Sequence, residues 1–293
     1  MYKFTPIRKT LVWGTEDWVI SGVPGNESVV AEGPEAGKKI TDIYPGQFPL
    51  LVKFIETKQA LSIQVHPDDA LASARYGTNG KTEMWYVIDA APGARIISGL
   101  KESITPDDYV RLVAEDRITD VVAEHSVAPG DVFYMPAGRI HAIGGGCFLT
   151  EIQQTSDLTY RIYDYNRLGL DGKPRQLHTH EAKDAIDYRV YPEYRTSYEP
   201  RRDEPVRLVS CPYFTTEFFE LTREMKIPGR AGNFLILIGI AGQVRLRTAQ
   251  DETVLSAGEA ILVPASDGAL SALPLAGEGS GRDGCVRFLT THL

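Results

Sequence analysis

A piece of punctuation occurs twice in this chain. Gly130-Asp131 opens the apolar run Val132-Phe133-Tyr134-Met135, which Pro136 closes, and Gly258-Glu259 opens Ala260-Ile261-Leu262-Val263, which Pro264 closes. A Gly beside an acid marks a turn, and Pro cannot donate to a sheet ladder, so each run reads as a short strand fixed at both ends. The residues before each turn align as well, Val127-Ala128-Pro129 with Val254-Leu255-Ser256-Ala257. A repeat of this kind implies two bodies of one design rather than a single large sheet. The copies then diverge. The first runs on into Gly138 and His141, the second into Ala265-Ser266-Asp267-Gly268 without a His. The chain reads as two related β-barrels, of which only the first keeps a potential metal ligand here.

The remaining segments fit a mainly β fold. Pro49 to Ile55, Leu61 to His66, Glu83 to Ile88 and Arg95 to Leu100 read as strands, the last after the turn Ala91-Pro92-Gly93. Phe214 to Leu221, Asn233 to Ile240, Gln243 to Thr248 and Glu259 to Pro264 read as strands of the second body. A small helical insertion is predicted over about 103–125. Thr105 is its cap, Pro106 its first residue and Asp107 and Asp108 its acidic first turn. Tyr109, Leu112 and Val113 recur at helical spacing, and Ile118, Val121 and Val122 extend the pattern toward His125. A second helix is predicted from Glu181 to Asp187. The stretch after it, rich in Tyr, Pro, Glu and Arg, reads as a linker. The expected division is therefore 1–190, a linker over 191–205, and 206–293.

Bulk properties exclude several partners. With 43% apolar residues, 24% charged residues and a net charge of −8, the chain suits neither nucleic acid nor an anionic membrane. The start, Met1 to Gly14, lacks the apolar core of a signal peptide, and no apolar run approaches the ~20 residues of a membrane span. Cys147, Cys211 and Cys285 are widely separated and odd in number, so free thiols in a reducing compartment are expected. These features predict a soluble, cytoplasmic protein.

Three short stretches carry donors for a divalent cation: Ser62 to Asp68, Lys81 to Val87 and Pro136 to Ala142. Residues i and i+2 share a face of a strand, so Ser62, Gln64 and His66 project together, as do Lys81, Glu83 and Trp85. With His141 from another strand, Gln64, His66 and Glu83 could close around one ion. Two imidazoles, a carboxylate and an amide oxygen suit Zn²⁺ and leave room for water or substrate, though Mn²⁺, Fe²⁺ or Co²⁺ would also fit.

Gly130-x5-Pro136-x-Gly138-x2-His141 matches the second motif of the cupin superfamily, and Gln64-x-His66 with Glu83 matches a variant of the first. Several longer stretches occur in the same order as in one family. They are Trp13 to Ser21, Gln64 to Pro67, Gly80 to Tyr86, Gly138 to Ile143 and Ser156 to Arg161. Together they resemble the type I mannose-6-phosphate isomerases in their short bacterial form, over nearly the whole chain and more weakly after about residue 190. The resemblance implies a tandem cupin fold with one zinc ion per chain on Gln64, His66, Glu83 and His141. It also implies active-site roles for Ser62, Lys81, Glu151 and Arg161. Larger eukaryotic members carry a Lys where this chain has Arg167, so a positive charge is kept. This chain is too short for their extra helical domain.

The implied reaction interconverts mannose 6-phosphate and fructose 6-phosphate through a cis-enediol, with a small sugar phosphate as partner. Glu151, on the apolar segment Phe148 to Ile152, is the candidate base, its pKa expected to rise on burial. His66, Lys81, Arg161 and a metal-bound water are rivals for that role. Ser62, Arg161 and Arg167 are candidate substrate contacts, since a guanidinium forks onto phosphate oxygens. Arg167 could equally pair with Asp164. His178-Thr179-His180 mimics a metal pair but lies outside the motifs, and Gly144-Gly145-Gly146 lacks the Lys and Ser/Thr of a phosphate loop and reads as a turn. The alternatives are another metallocupin, such as an iron oxygenase, and a non-catalytic sugar-phosphate-binding cupin.

Overall fold

The repeated turns form as their residues require. Gly130 has φ 94° and Gly258 has φ 82°, a region where a Cβ is strained. Each glycine leads into a strand, Val132–Met135 and Ala260–Val263. The computed structural model describes residues 1–44, 46–230, 232–275 and 284–293. The named strands within it pair antiparallel in two compact units.

One unit comprises residues 7–27 and 44–196. Its six-stranded sheet runs in the order Val132–Met135, Glu83–Ala90, Cys147–Gln154, Leu50–Thr57, Gly14–Ile20, Ile7–Leu11. Its five-stranded sheet runs Val122–Ser126, Arg95–Leu100, His141–Ile143, Ile63–Val65, Tyr160–Tyr163. Trp85, Val87, Phe133 and Leu149 of the first sheet share one buried cluster with Ile96 and Ile143 of the second, so the sheets pack face to face as a sandwich. Burying each such aromatic or branched side chain contributes about 1.5–3 kcal/mol.

The outer face of the five-stranded sheet is covered by helices. Pro106–Ala114 begins with a capping box, in which Thr105 Oγ1 accepts from the Asp108 N–H and Asp108 accepts from the Thr105 N–H. Its Tyr109, Leu112 and Val113 pack on Ile63, Val65, Tyr160 and Ile162. Ala182 of the helix Thr179–Ala185 joins the same cluster. The predicted continuation of the insertion toward His125 does not form. The helix stops at Ala114, a short 3₁₀ turn spans Ile118–Asp120, and Val122–Ser126 is a strand. Val122 and Ala123 satisfy a helical pattern and a strand pattern alike. The open edge of Arg95–Leu100 decides between them.

The other unit comprises residues 1–6, 28–43 and 197–293. Its seven-stranded sheet runs Val206–Ser210, Thr215–Leu221, Val286–His292, Leu235–Ala241, Ala260–Val263, Tyr2–Thr5, Val29–Val30. A four-stranded sheet of Met225–Ile227, Leu270–Leu275, Gln243–Arg247 and Glu252–Ser256 completes it.

This division differs from the contiguous one expected from the sequence. Tyr2–Thr5 pairs with Ala260–Val263, which assigns the start of the chain to the later unit. The predicted linker is also ordered at its start. Tyr194 is buried, its hydroxyl donates to the Leu100 carbonyl at 2.7 Å, and residues to Thr196 belong to the earlier unit. Among the described residues all three cysteines are free.

Candidate metal centre

Alternation along Ile63–Val65 builds the site. Ile63 and Val65 face the helices, so Ser62, Gln64 and His66 face the other sheet. Gln64 stands opposite His141 in one ladder and opposite Arg161 in the other. In the six-stranded sheet Glu151 stands between Lys53 and Trp85, and Gln153 stands opposite Glu83.

His66, Glu83 and His141 are all buried and offer ligand atoms within 4.8 Å of one another. His66 Nε2 lies 3.5 Å from Glu83 Oε2, and His141 Nε2 lies 3.4 Å from Glu83 Oε1. The two Nε2 atoms are 3.2 Å apart. They do not bond each other, because each ring's Nδ1 faces a backbone carbonyl, Leu158 at 2.9 Å and Arg139 at 2.7 Å. Only a protonated Nδ1 can donate there, so each neutral ring keeps a bare lone pair on Nε2. Both rings are held neutral. Burial, the Lys81 charge and His141 depress His66 well below its usual value, and burial brings His141 down to about 4.

Glu83 is equally short of hydrogen. Lys81 Nζ forms an ion pair with Oε2 at 3.1 Å, and both carboxylate oxygens are buried without a hydrogen-bond partner. Burial and the neighbouring Glu151 push the Glu83 carboxyl up to about 7. Two imidazole lone pairs and a carboxylate thus converge in a buried spot. Unsatisfied, they are costly; they are the donors a divalent cation takes. Among the described residues no other group of His, Cys, Asp and Glu gathers this way. His178 and His180 stand outside it, and Gly144 to Gly146 form the turn between His141–Ile143 and Cys147–Gln154.

A cavity of about 350 Å³ adjoins the trio, lined by Ser62, Gln64, Lys81, Glu151, Arg161 and Arg175 among others. Glu151 differs from expectation. Burial does raise its pKa, but the charges of Lys53 and Lys81 and the hydrogen bonds from Lys53 and Trp85 outweigh it, and the carboxyl is held below the usual carboxylate range. Lys53 Nζ donates to Oε1 at 2.7 Å, and Trp85 Nε1 to Oε2 at 2.8 Å. Lys53 is a site residue that sequence reasoning missed. Its signal was a single Lys inside the apolar run Pro49 to Ile55, since a cation there needs a buried partner.

Lys53→Met should destabilise the fold by about 3 kcal/mol, because it removes the closest cation from the buried Glu151 and leaves it only Lys81 at 4.0 Å and the Trp85 N–H. Adding Glu151→Gln should recover much of that loss in chemical denaturation. Equal stability of the single and double variants would contradict the pairing.

Of the two readings open for Arg167, substrate contact or a pair with Asp164, the structure has the pair. Arg161 lines the cavity, but Arg167 is not among the lining residues. Arg167 Nε donates to Asp164 at 2.9 Å and Nη1 to the Ala60 carbonyl at 2.5 Å, so its fork is committed to structure. Arg175, which no motif singled out, lines the cavity instead, with Nε donating to Asp164 at 2.7 Å. A broader cleft of about 700 Å³ in the other unit includes Glu32, Glu35, Asp251, Glu252 and Asp267 in its lining and offers no imidazole. Its Asp251 and Asp267 are bound to the terminal ammonium.

Comparison with known proteins returns one theme. Residues 16–89 match the family model for the catalytic domain of type I phosphomannose isomerase, and residues 205–279 match that for the cupin domain of mannose-6-phosphate isomerase. A mannose-6-phosphate isomerase of Streptococcus mutans is 33% identical over 261 residues, 85% of this chain and 82% of that protein. The crystal structure of the Bacillus subtilis mannose 6-phosphate isomerase superposes with a TM-score of 0.88 at 29% identity, covering 100% of this chain and 99% of the other. A zinc-bound mannose 6-phosphate isomerase shares the fold at 16% identity, with a TM-score of 0.76 over 99% of this chain and 98% of the other.

Proposed function

This chain belongs to the mannose-6-phosphate isomerase family, and on that footing we propose that it interconverts mannose 6-phosphate and fructose 6-phosphate through a cis-enediol in the cytoplasm. One zinc ion per chain would be held by Gln64, His66, Glu83 and His141. The observation that carries this reading is the convergence of hydrogen-free donors beside a cavity that presents Lys81, Glu151 and Arg161. When bound, the cation supplies positive charge that polarises the oxygens on C1 and C2 and so acidifies the C–H bond.

The chain's own residues supply the rest. Glu151 is ionised, as an acceptor for the carbon proton must be. His66 and His141 commit Nδ1 to a carbonyl and turn Nε2 toward Glu83, which leaves them no nitrogen for proton transfer. Lys81 sits 3.1 Å from Glu83 and 4.0 Å from Glu151, placed to stabilise negative charge between them. Arg161 and Ser62 face the cavity, where they would bind the phosphate or the enediolate. No helix among the described residues is long and apolar enough to cross a membrane.

A coupled assay with mannose 6-phosphate tests this. Turnover should be lost with chelator and return with added Zn²⁺. Metal-replete protein that produces no fructose 6-phosphate overturns the reading.

A further inference from the structure

The strand that carries Arg161 lies at the edge of its sheet. Tyr160–Tyr163 pairs with Ile63–Val65 on one side, and among the described residues no strand follows it on the other. An edge strand turns the N–H and C=O of alternate residues outward, where they need partners. Arg161 is such a residue, and one neighbour takes both groups. The Arg161 N–H donates to His178 Nδ1 at 3.1 Å, and the His178 N–H donates to the Arg161 carbonyl at 2.8 Å. The guanidinium adds a third bond to the same segment, from Nη1 to the Gln176 carbonyl at 2.8 Å.

The clamp is itself anchored. His178 immediately precedes the helix Thr179–Ala185, whose Ala182 is buried in the core under the sheet. Arg75 ties that helix to the strand, donating to the Tyr160 hydroxyl at 3.3 Å and to the Glu181 carbonyl at 3.1 Å.

We propose that His178 is the positioning residue for Arg161. Its bare Nδ1 does for the edge strand what a neighbouring strand's carbonyl would do, and so fixes the backbone from which the guanidinium enters the cavity. The proposal rests on the isomerase reading only for Arg161's task there; the clamp is a matter of geometry.

To accept, the ring must be neutral with its proton on Nε2. A second proton would set N–H against N–H. The groups around the ring are the Arg161 charge, the Glu181 carboxylate and the Tyr160 ring with Arg75 beyond it. Burial and Arg161 depress the His178 pKa below the usual 6.5, against Glu181. The clamp is therefore intact above that value and is lost as pH falls through the depressed folded-state pKa.

Asn places an oxygen near Nδ1, whereas Leu places none and Gln reaches toward Nε2. H178L and H178Q should lower kcat by about 10- to 100-fold with metal content unchanged, since a small misplacement of a binding group has effects of that size. H178N should restore most of kcat and remove His178's contribution to the acid limb of the wild-type pH profile. Hydrogen exchange in the segment 160–163 reads the clamp without turnover: slow in wild type and H178N, fast in H178L and H178Q. Wild-type kcat in H178L or H178Q, or equal loss in all three variants, overturns the proposal. If wild type shows no isomerase activity while exchange follows this pattern, the isomerase reading fails and the clamp stands. Uniform exchange across the variants removes the clamp.

Discussion

Glu83→Ala is expected to lose the bound cation and with it essentially all isomerase turnover. The carboxylate contributes the only negative charge of the trio, and both imidazoles face it within 3.5 Å. Without it the remaining donors are neutral, and a divalent ion loses its main electrostatic attraction. The variant should still fold. In the metal-free protein Glu83 is a buried carboxylate whose oxygens lack a hydrogen-bond donor, so removing it removes a desolvation penalty, and Lys81, which loses Glu83 at 3.1 Å, keeps Glu151 at 4.0 Å. The two proteins should respond oppositely to metal. Added Zn²⁺ should raise the wild-type Tm by mass action on the folded state and leave the variant where it was. Metal analysis showing stoichiometric zinc in Glu83→Ala would refute the ligand assignment.

Arg161→Ala should separate binding of metal from chemistry. Its backbone is held from both sides, by the ladder opposite Gln64 and by His178, so truncating the side chain leaves the trio undisturbed. Metal content should therefore be normal. Turnover should fall by about 10²–10³-fold, the usual effect of removing one preorganised charge that meets the transition state. Burial and the neighbouring Arg175 and Arg167 charges depress the Arg161 pKa, the mark of a guanidinium held among like charges and suited to an anionic ligand. Arg167→Ala should behave differently, weakening the loop through Asp164 and Ala60 while sparing kcat. Near-normal activity in Arg161→Ala, measured on metal-replete protein, would refute its role.

What the sequence made legible was whatever depends on local period and punctuation. Strand parity placed Ser62, Gln64 and His66 on one face, and the structure has Ile63 and Val65 on the other. Thr105-Pro106 announced its helix, and the repeat announced two bodies. The illegible parts were set by distant partners. Val122 suits a helix or a strand until Arg95–Leu100 offers an edge. Burial alone argues that the Glu151 pKa rises; Lys53, from another strand, reverses it. Arg167 and Arg175 compete for Asp164, and no spacing says which of them also reaches the cavity. His178 looked like half of a metal pair because its partner is a backbone amide, which carries no sequence signal.

The pairing of Tyr2–Thr5 with Ala260–Val263 also bears on synthesis. The first strand to leave the ribosome has only the short Val29–Val30 beside it until nearly the last strand is made. Closing so long a loop adds to the entropy to be overcome before that ladder forms, and such contacts slow folding. A chain cut at residue 197 would give a later fragment whose Ala260–Val263 strand has one bare edge, open to pairing with other copies. The part of the gene after residue 196 therefore does not encode a whole folding unit, although the part before it does, and the later fragment should aggregate when made alone but be rescued by a peptide supplying residues 1–43.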